Sequence, residues 1–215
     1  MGKFLAVIAI AASAWFYTGG KLPGNDIAKA VDVSGNPVVL VFTVDGCKKP
    51  CKSAMKQLKK RDVPFKEVKV NLANPKDKNT QLWEKMGKRG FPYIASGSER
   101  VIGNSKAQIA SLLGVNYGNS YLTKSEKKYY SKHFYADGKP KIIIYGASWC
   151  GYCKKLREEL EADNTDYIEI DVEKRKDHKK LSRVMGISGY PSTWVGYSRV
   201  DGTTLRAVKA TMDKS

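Results

Sequence analysis

The apolar positions fall into short runs whose order occurs twice along the chain. Val38-Val39-Leu40-Val41-Phe42 is a continuous β-favouring run, as expected for a strand buried on both faces. Beyond it Cys51, Met55 and Leu58 recur at helical spacing among lysines, which predicts an amphipathic helix. Phe65–Leu72 reads as a second strand and Thr80–Met86 as a helix ending at Gly87. Tyr93-Ile94-Ala95 and Val101-Ile102 are two more strands about the turn Ser96-Gly97-Ser98, and Ser105–Leu113 is a closing helix before Gly114. The second copy opens with Ile142-Ile143-Ile144-Tyr145 and a helix from Cys150 to Ala162. It continues through a strand at Tyr167–Val172, a helix at Lys179–Met185 and a strand at Thr193–Tyr197. Val200-Asp201-Gly202-Thr203 then reads as a turn before a last strand near Leu205–Val208.

Chemistry recurs with the pattern. Cys47-Lys-Lys-Pro-Cys51 follows the first strand and Cys150-Gly-Tyr-Cys153 follows its counterpart. Each pair precedes a Gly-aromatic-Pro triplet, Gly90-Phe91-Pro92 or Gly189-Tyr190-Pro191, and the first-cysteine-to-proline separations are 45 and 41 residues. Repetition on this scale predicts an α/β chain of two tandem βαβαββ domains, at 37–114 and 140–215, each with a modest core of its own. Parallel strands joined through helices require right-handed crossovers, and the last two strands of each unit form a hairpin.

The flanking segments differ in composition. Residues 1–20 carry an apolar stretch, Phe4 to Tyr17, of 14 residues, shorter than the roughly 20 that span a bilayer as a helix. With Lys3 before it and Ala12-Ser13-Ala14 inside it, the stretch reads as a signal peptide or a short membrane anchor. The expectation is an exported chain, periplasmic or in the cell envelope, attached to the membrane at its N-terminus if the segment is retained. Four cysteines in two close pairs, with none left over, suit an oxidising compartment. Residues 21–36 read as a tether with a short helix at Asp26–Val31. Residues 115–139 read as a linker, helical near Lys124–His133. Its aromatics, Tyr117, Tyr121, Tyr129, Tyr130, Phe134 and Tyr135, are expected to pack the two units together rather than to form a docking surface.

The net charge of +17 is unevenly placed. Lys and Arg minus Asp and Glu is 16 − 6 over 37–114 but 14 − 11 over 140–215. Much of the excess is Lys48, Lys49, Lys52, Lys56, Lys59, Lys60 and Arg61, around and behind the first cysteine pair. Such a field attracts acidic protein surfaces, glutathione or anionic lipid, and favours a thiolate. No nucleic-acid motif accompanies it, so nucleic acid is not an expected partner.

Ser148-Trp149-Cys150-Gly151-Tyr152-Cys153-Lys154-Lys155, placed between a strand and a helix and followed by Gly-Tyr-Pro, resembles the thioredoxin and glutaredoxin superfamily. The resemblance covers nearly all of 140–215 and, more loosely, 37–114. It implies a thioredoxin-like fold and thiol-disulfide oxidoreductase activity. It implies that Pro191, and by repetition Pro92, are cis and face the cysteines. It implies redox-active disulfides Cys150–Cys153 and Cys47–Cys51, with Trp149, Tyr152, Tyr190, Pro191, Phe91 and Pro92 as substrate-binding residues. Cys150, at a helix N-terminus, sees unpaired N–H groups and the positive end of the dipole, so it is the expected exposed nucleophile. Cys153 falls on the apolar face with Leu156 and Leu160 and is expected to be shielded until it resolves the mixed disulfide.

The first pair has one residue more between its cysteines than the family pattern, and an active dithiol and a structural clip both remain open for it. No cofactor beyond the dithiols is required. Glutathione is an alternative, though the second unit shows Val200-Asp201-Gly202 where glutaredoxins carry Gly-Gly and an acidic residue. Partners would be protein thiols and disulfides, glutathione or an upstream redox protein. A metal site is not expected, because the cysteine pairs lie far apart and His133 and His178, both expected to face solvent, are close to neither. The rival readings are a redox-inactive adaptor for acidic partners and a glutathione-dependent glutaredoxin.

Overall fold

The computed structural model describes residues 27–87 and 89–214, so the expected signal or anchor lies outside the described residues. Two four-stranded sheets have the same topology. In the first half β1 (Val39–Val44) lies parallel to β2 (Phe65–Val70) and antiparallel to β3 (Tyr93–Ser96), which pairs with β4 (Glu99–Ile102), giving the order β2-β1-β3-β4. In the second, β5 (Ile142–Gly146) lies parallel to β6 (Ile168–Asp171) and antiparallel to β7 (Ser192–Val195), which pairs with β8 (Ser198–Arg199), giving β6-β5-β7-β8. The helices of the first half are α1 (Lys49–Lys59), α2 (Lys78–Lys85) and α3 (Lys106–Tyr117). Between the halves lie α4 (Lys124–Tyr130) and a 3-10 turn, Ser131–His133; the second half has α5 (Gly151–Ala162), α6 (His178–Met185) and α7 (Leu205–Met212).

Strand alternation divides the apolar side chains among three clusters. Val41 of β1 and Ile143 and Tyr145 of β5 point into one central cluster. Leu40 and Phe42 face a second, against Trp83 of α2 and Met86, while Ile142 and Ile144 face a third, against Leu156 and Leu160 of α5 and Val208 of α7. The central cluster takes Ala54 and Leu58 from α1, Leu112 and Leu113 from α3, Tyr129 and Tyr130 from α4, Leu181 and Met185 from α6, and Trp194 from β7. The largest core is therefore common to both halves, which corrects the expectation of two separate small cores. The α1 and α3 side of the first half meets the α6 side of the second, so the two copies do not pack through equivalent faces.

Close contacts fix this junction. A Cβ on Gly114 of α3 would lie 2.4 Å from Tyr197 Cδ1, so only glycine lets α3 approach the β7–β8 turn. Ser111 Oγ donates to the Tyr197 carbonyl at 2.7 Å, and Tyr129 OH donates to Asp177 at 3.0 Å. Thr123 and Glu126 form a reciprocal capping box at α4, and Glu126 also takes a 2.5 Å ion pair from buried Arg61 behind α1. Tyr117, Tyr121, Tyr129, Tyr130 and Phe134 are in packing or ring contacts within this layer, while Tyr135 is exposed beneath the Lys141 ammonium.

Three local expectations are corrected. Leu205–Val208 is the first turn of α7 and not a strand: Thr204 caps it by accepting from the Ala207 N–H, and four residues are too few for apolar spacing to separate a helix from a strand. The hairpin turn lies earlier, at Gly196-Tyr197, where Gly196 has φ +55°; Val200–Thr203 instead leads into α7. The helix expected from Asp26 to Val31 is absent over its described residues. Ala30 bridges Gly97 and Val31 bridges Pro37, with Asp32 Oδ1 accepting from the Ser34 and Asn36 amides in the turn between them. A run this short cannot offset helix nucleation, and bridging to the β3–β4 turn satisfies its backbone instead.

His133 is a further correction. It is fully buried, with Nδ1 2.7 Å from the Gly196 carbonyl and Nε2 2.8 Å from Tyr145 OH. Because a carbonyl only accepts, Nδ1 carries the hydrogen and Nε2 accepts from the tyrosine. Burial pushes the imidazole pKa down from 6.5 to about 4. The unfolded chain thus binds a proton that the native chain refuses, so this contribution is complete above pH 6.5 and is lost as pH falls through 4. The shift corresponds to roughly 3 kcal/mol. Urea titrations at pH 7 and pH 4 are expected to show that loss in the parent chain and a much smaller one in His133→Gln. Equal losses would remove His133 as the cause. His178, by contrast, is exposed at the start of α6.

Candidate active site

Both cysteine pairs sit where a central strand gives way to a helix. Cys150 is the N-cap of α5, extended at φ −76° and ψ 106°, and its Sγ accepts the Cys153 backbone N–H at 3.1 Å. The pair is disulfide-bonded with Cα atoms 5.2 Å apart. Cys153 is completely buried and Cys150 is 5% exposed. The relative order agrees with a nucleophile and a shielded partner, but the expectation that Cys150 is openly exposed is corrected. Ala147 and the half-buried Tyr190 pack against the pair and cover it. Trp149 and Tyr152, each 70% exposed, stand beside it, and the Trp149 ring meets Tyr190 edge-on at 5.9 Å. Together they form an aromatic rim around a nearly covered disulfide.

Beneath the rim lie residues that sequence reasoning missed. A Cβ on Gly146 would fall 2.8 Å from Glu169 Oε1 and 3.1 Å from Cys153 Sγ, so the missing side chain leaves the space in which carboxylate and sulfur converge. Arg157 Nη1 holds both Glu169 oxygens at 2.7 Å. Glu173 accepts from Trp149 Nε1 at 2.9 Å and orients the ring. The sequence signal for these groups is slight: a carboxylate between two apolar residues of β6, Ile168-Glu169-Ile170.

The first pair is built differently. Its cysteines are disulfide-bonded with Cα atoms 5.6 Å apart, but Cys47 lies two residues ahead of α1, so the pair is not a four-residue step on a helix. Cys47 is half-buried, more open than Cys150, and Cys51 is buried. A cleft of about 260 Å³ beside them is lined by Lys48, Lys52, Met55, Glu67 and Lys69. Both Phe91–Pro92 and Tyr190–Pro191 are cis peptides. The aromatic residues before the prolines diverge, however: Tyr190 packs on the second disulfide, whereas Phe91 stacks on Trp83 at 4.9 Å in the outer core of the first half. Pro92 is buried and Pro191 lines a larger cleft between the halves. Among the described residues, no group of three or more His, Cys, Asp or Glu side chains is placed to hold a metal.

The glutaredoxin family model matches residues 142–200, which contain the second disulfide and Pro191. A glutaredoxin of Pseudomonas aeruginosa is 30% identical over 64 residues, covering 29% of this chain and 76% of the relative. The chain belongs to the thioredoxin/glutaredoxin superfamily. A thioredoxin domain-containing protein of Acanthamoeba polyphaga mimivirus is 30% identical over 103 residues, 43% of this chain, which spans only 29% of that protein. Among solved structures, glutaredoxin C1 of Populus tremula x tremuloides is similar at a TM-score of 0.33 and 16% identity, covering 43% of this chain and 90% of its own. The superfamily includes thiol-disulfide oxidoreductases, and this member has a disulfide-bonded cysteine pair at the start of its matched segment.

Proposed function

We propose that the chain is an exported thiol-disulfide oxidoreductase that exchanges disulfides with protein substrates through Cys150 and Cys153. The observation that carries this reading is the position of Cys150 Sγ, at the N-cap of α5 and bonded to the Cys153 N–H, with Cys153 fully covered. That hydrogen bond and the helix dipole favour a thiolate on Cys150 once the pair is reduced. The thiolate attacks a substrate disulfide, one substrate sulfur leaves, and a mixed disulfide forms on Cys150. Cys153 then attacks Cys150 Sγ, restoring the intramolecular disulfide and releasing the substrate as a dithiol. Trp149, Tyr152 and Tyr190 would contact the incoming segment, and the backbone at Pro191 would align it as an added strand. The Cys47–Cys51 pair serves as a relay or substrate-binding unit.

Cys153→Ser removes the resolving thiol and is expected to accumulate a mixed disulfide on Cys150 after incubation with a disulfide-bearing protein, read by mass spectrometry of the Cys150 peptide. An unmodified Cys150 would leave the chain as a non-catalytic adaptor. The glutaredoxin family match and the Pseudomonas aeruginosa glutaredoxin support a second reading, in which glutathione is the exchanging thiol. Oxidised glutathione in the same assay is then expected to trap on Cys150 in preference to the protein.

A further inference from the structure

The two disulfides lie in different electrostatic surroundings. Around Cys150–Cys153 charge is balanced: Lys154 pairs with Glu158 at 3.8 Å, Arg157 with Glu169 at 2.7 Å and Lys174 with Asp171 at 3.3 Å. Around Cys47–Cys51 it is not. Lys48, Lys49, Lys52, Lys56 and Lys69 are exposed, and among the described residues none of them has a carboxylate within ion-pair distance. Asp45 and Glu67 also line this cleft, neither within ion-pair distance of its lysines, and Glu67 accepts from Thr43 Oγ1 at 2.8 Å. Lys48, Lys52 and Lys69 line the cleft onto which Cys47 opens, with Met55 as its apolar wall.

Resting on the oxidoreductase reading, we infer that Cys47–Cys51 is a second exchange site, selective for thiols carried on acidic polypeptide segments. The lysines raise the local concentration of such a segment and stabilise its encounter, while the cleft admits one side chain beside the sulfur. In the oxidised state the substrate thiolate attacks Cys47 Sγ, the more open sulfur. The Cys47–Cys51 bond breaks, Cys51 leaves as a thiolate, and a mixed disulfide forms on Cys47. A second substrate thiolate attacks the substrate sulfur of that bond, releasing Cys47. The substrate loses two electrons and two protons, and the chain gains a dithiol.

The test uses the full chain with Cys150 and Cys153 both replaced by serine, so that only the first disulfide reports. Its reduction is followed by stopped flow with three peptides, each holding two cysteines flanked by glutamates, by serines or by lysines. Thiolate concentrations are matched by measured thiol pKa. At low ionic strength the acidic peptide is expected to react at least about tenfold faster than the neutral one, and the basic peptide more slowly. The difference should collapse at about 0.5 M salt, where the screening length is only a few ångströms. Replacing Lys48, Lys52 and Lys69 by glutamate should reverse the order and accelerate the basic peptide, a gain that misfolding does not produce.

Equal rates for all three peptides would overturn the charge selection while leaving the first disulfide reactive. A first disulfide that reacts with none would make it a structural clip, and the Cys150 trapping experiment would be untouched by that result. Vesicles of phosphatidylcholine and phosphatidylglycerol form the third arm. Binding abolished by the same lysine replacements, together with no peptide discrimination, would assign the patch to a lipid surface and overturn the proposal.

Discussion

Cys150→Ser is expected to lower disulfide exchange through the second pair by about 10³-fold or more while leaving the fold intact. Serine oxygen cannot form the mixed disulfide, and the one thiol left in the pair is the fully buried Cys153. The same oxygen is among the strongest helix N-caps and would accept the Cys153 N–H now bonded to sulfur at 3.1 Å. Stability measured against the reduced parent should therefore be nearly unchanged, whereas Cys150→Ala should lose the cap as well, at about 1 kcal/mol. The assay is reduction of a disulfide peptide in dithiothreitol, with Cys47 and Cys51 replaced by serine to silence the first pair. A Cys150→Ser chain that keeps more than about a tenth of the rate, a change of only 1.4 kcal/mol, would place the nucleophile elsewhere.

The near-complete cover over Cys150 shapes how that chemistry would proceed. Tyr190 closes one side and Trp149, pinned by Glu173, stands against it. A substrate would have to move an aromatic ring, or the reduced state would have to open more than the disulfide does. The first pair carries no such rim. Its half-buried Cys47 is framed by lysines, and its Phe91 is committed to Trp83. The duplicated scaffold thus bears two sulfur sites with different access and different charge.

The opening order of elements in each half is legible in the sequence, because Val38–Phe42 and Ile142–Tyr145 are continuous β-favouring runs, and each is followed by cysteine and a lysine-bearing amphipathic helix. The sequence also carried the helical linker, whose aromatics are too many to leave in water. It did not show the shared core, because apolar periodicity says which face of a helix is buried and nothing about the element that buries it. His133 was unreadable for the same reason: its partners, Gly196 and Tyr145, lie 63 and 12 residues away. Gly146 and Glu169 are joined only through the parallel β5–β6 pairing, and Tyr190 covers Cys150 across forty residues of chain. Local pattern placed each sulfur at its helix; the surroundings of each sulfur come from contacts that local pattern does not contain.

Trp194→Ala is expected to destabilise the whole described structure by about 3–5 kcal/mol, a large share of the ~5–15 kcal/mol that holds a typical domain together. Trp194 is buried in the central cluster, edge-on to Tyr130 at 5.6 Å and 5.9 Å from His133, which in turn holds the Gly196 carbonyl and Tyr145. Its Nε1 has no hydrogen-bond partner among the described residues, so truncation forfeits packing and dispersion without breaking a polar bond. The side chain belongs to β7, yet it faces a layer filled by α1, α3 and α4. The loss should therefore appear in both halves at once. Urea unfolding should keep one transition with an unchanged slope and a lower midpoint. Hydrogen exchange read by mass spectrometry should accelerate equally at Val39–Val44 and Ile142–Gly146. Acceleration confined to the second strand would mean that the halves unfold independently, and that the central cluster joins two cores rather than forming one.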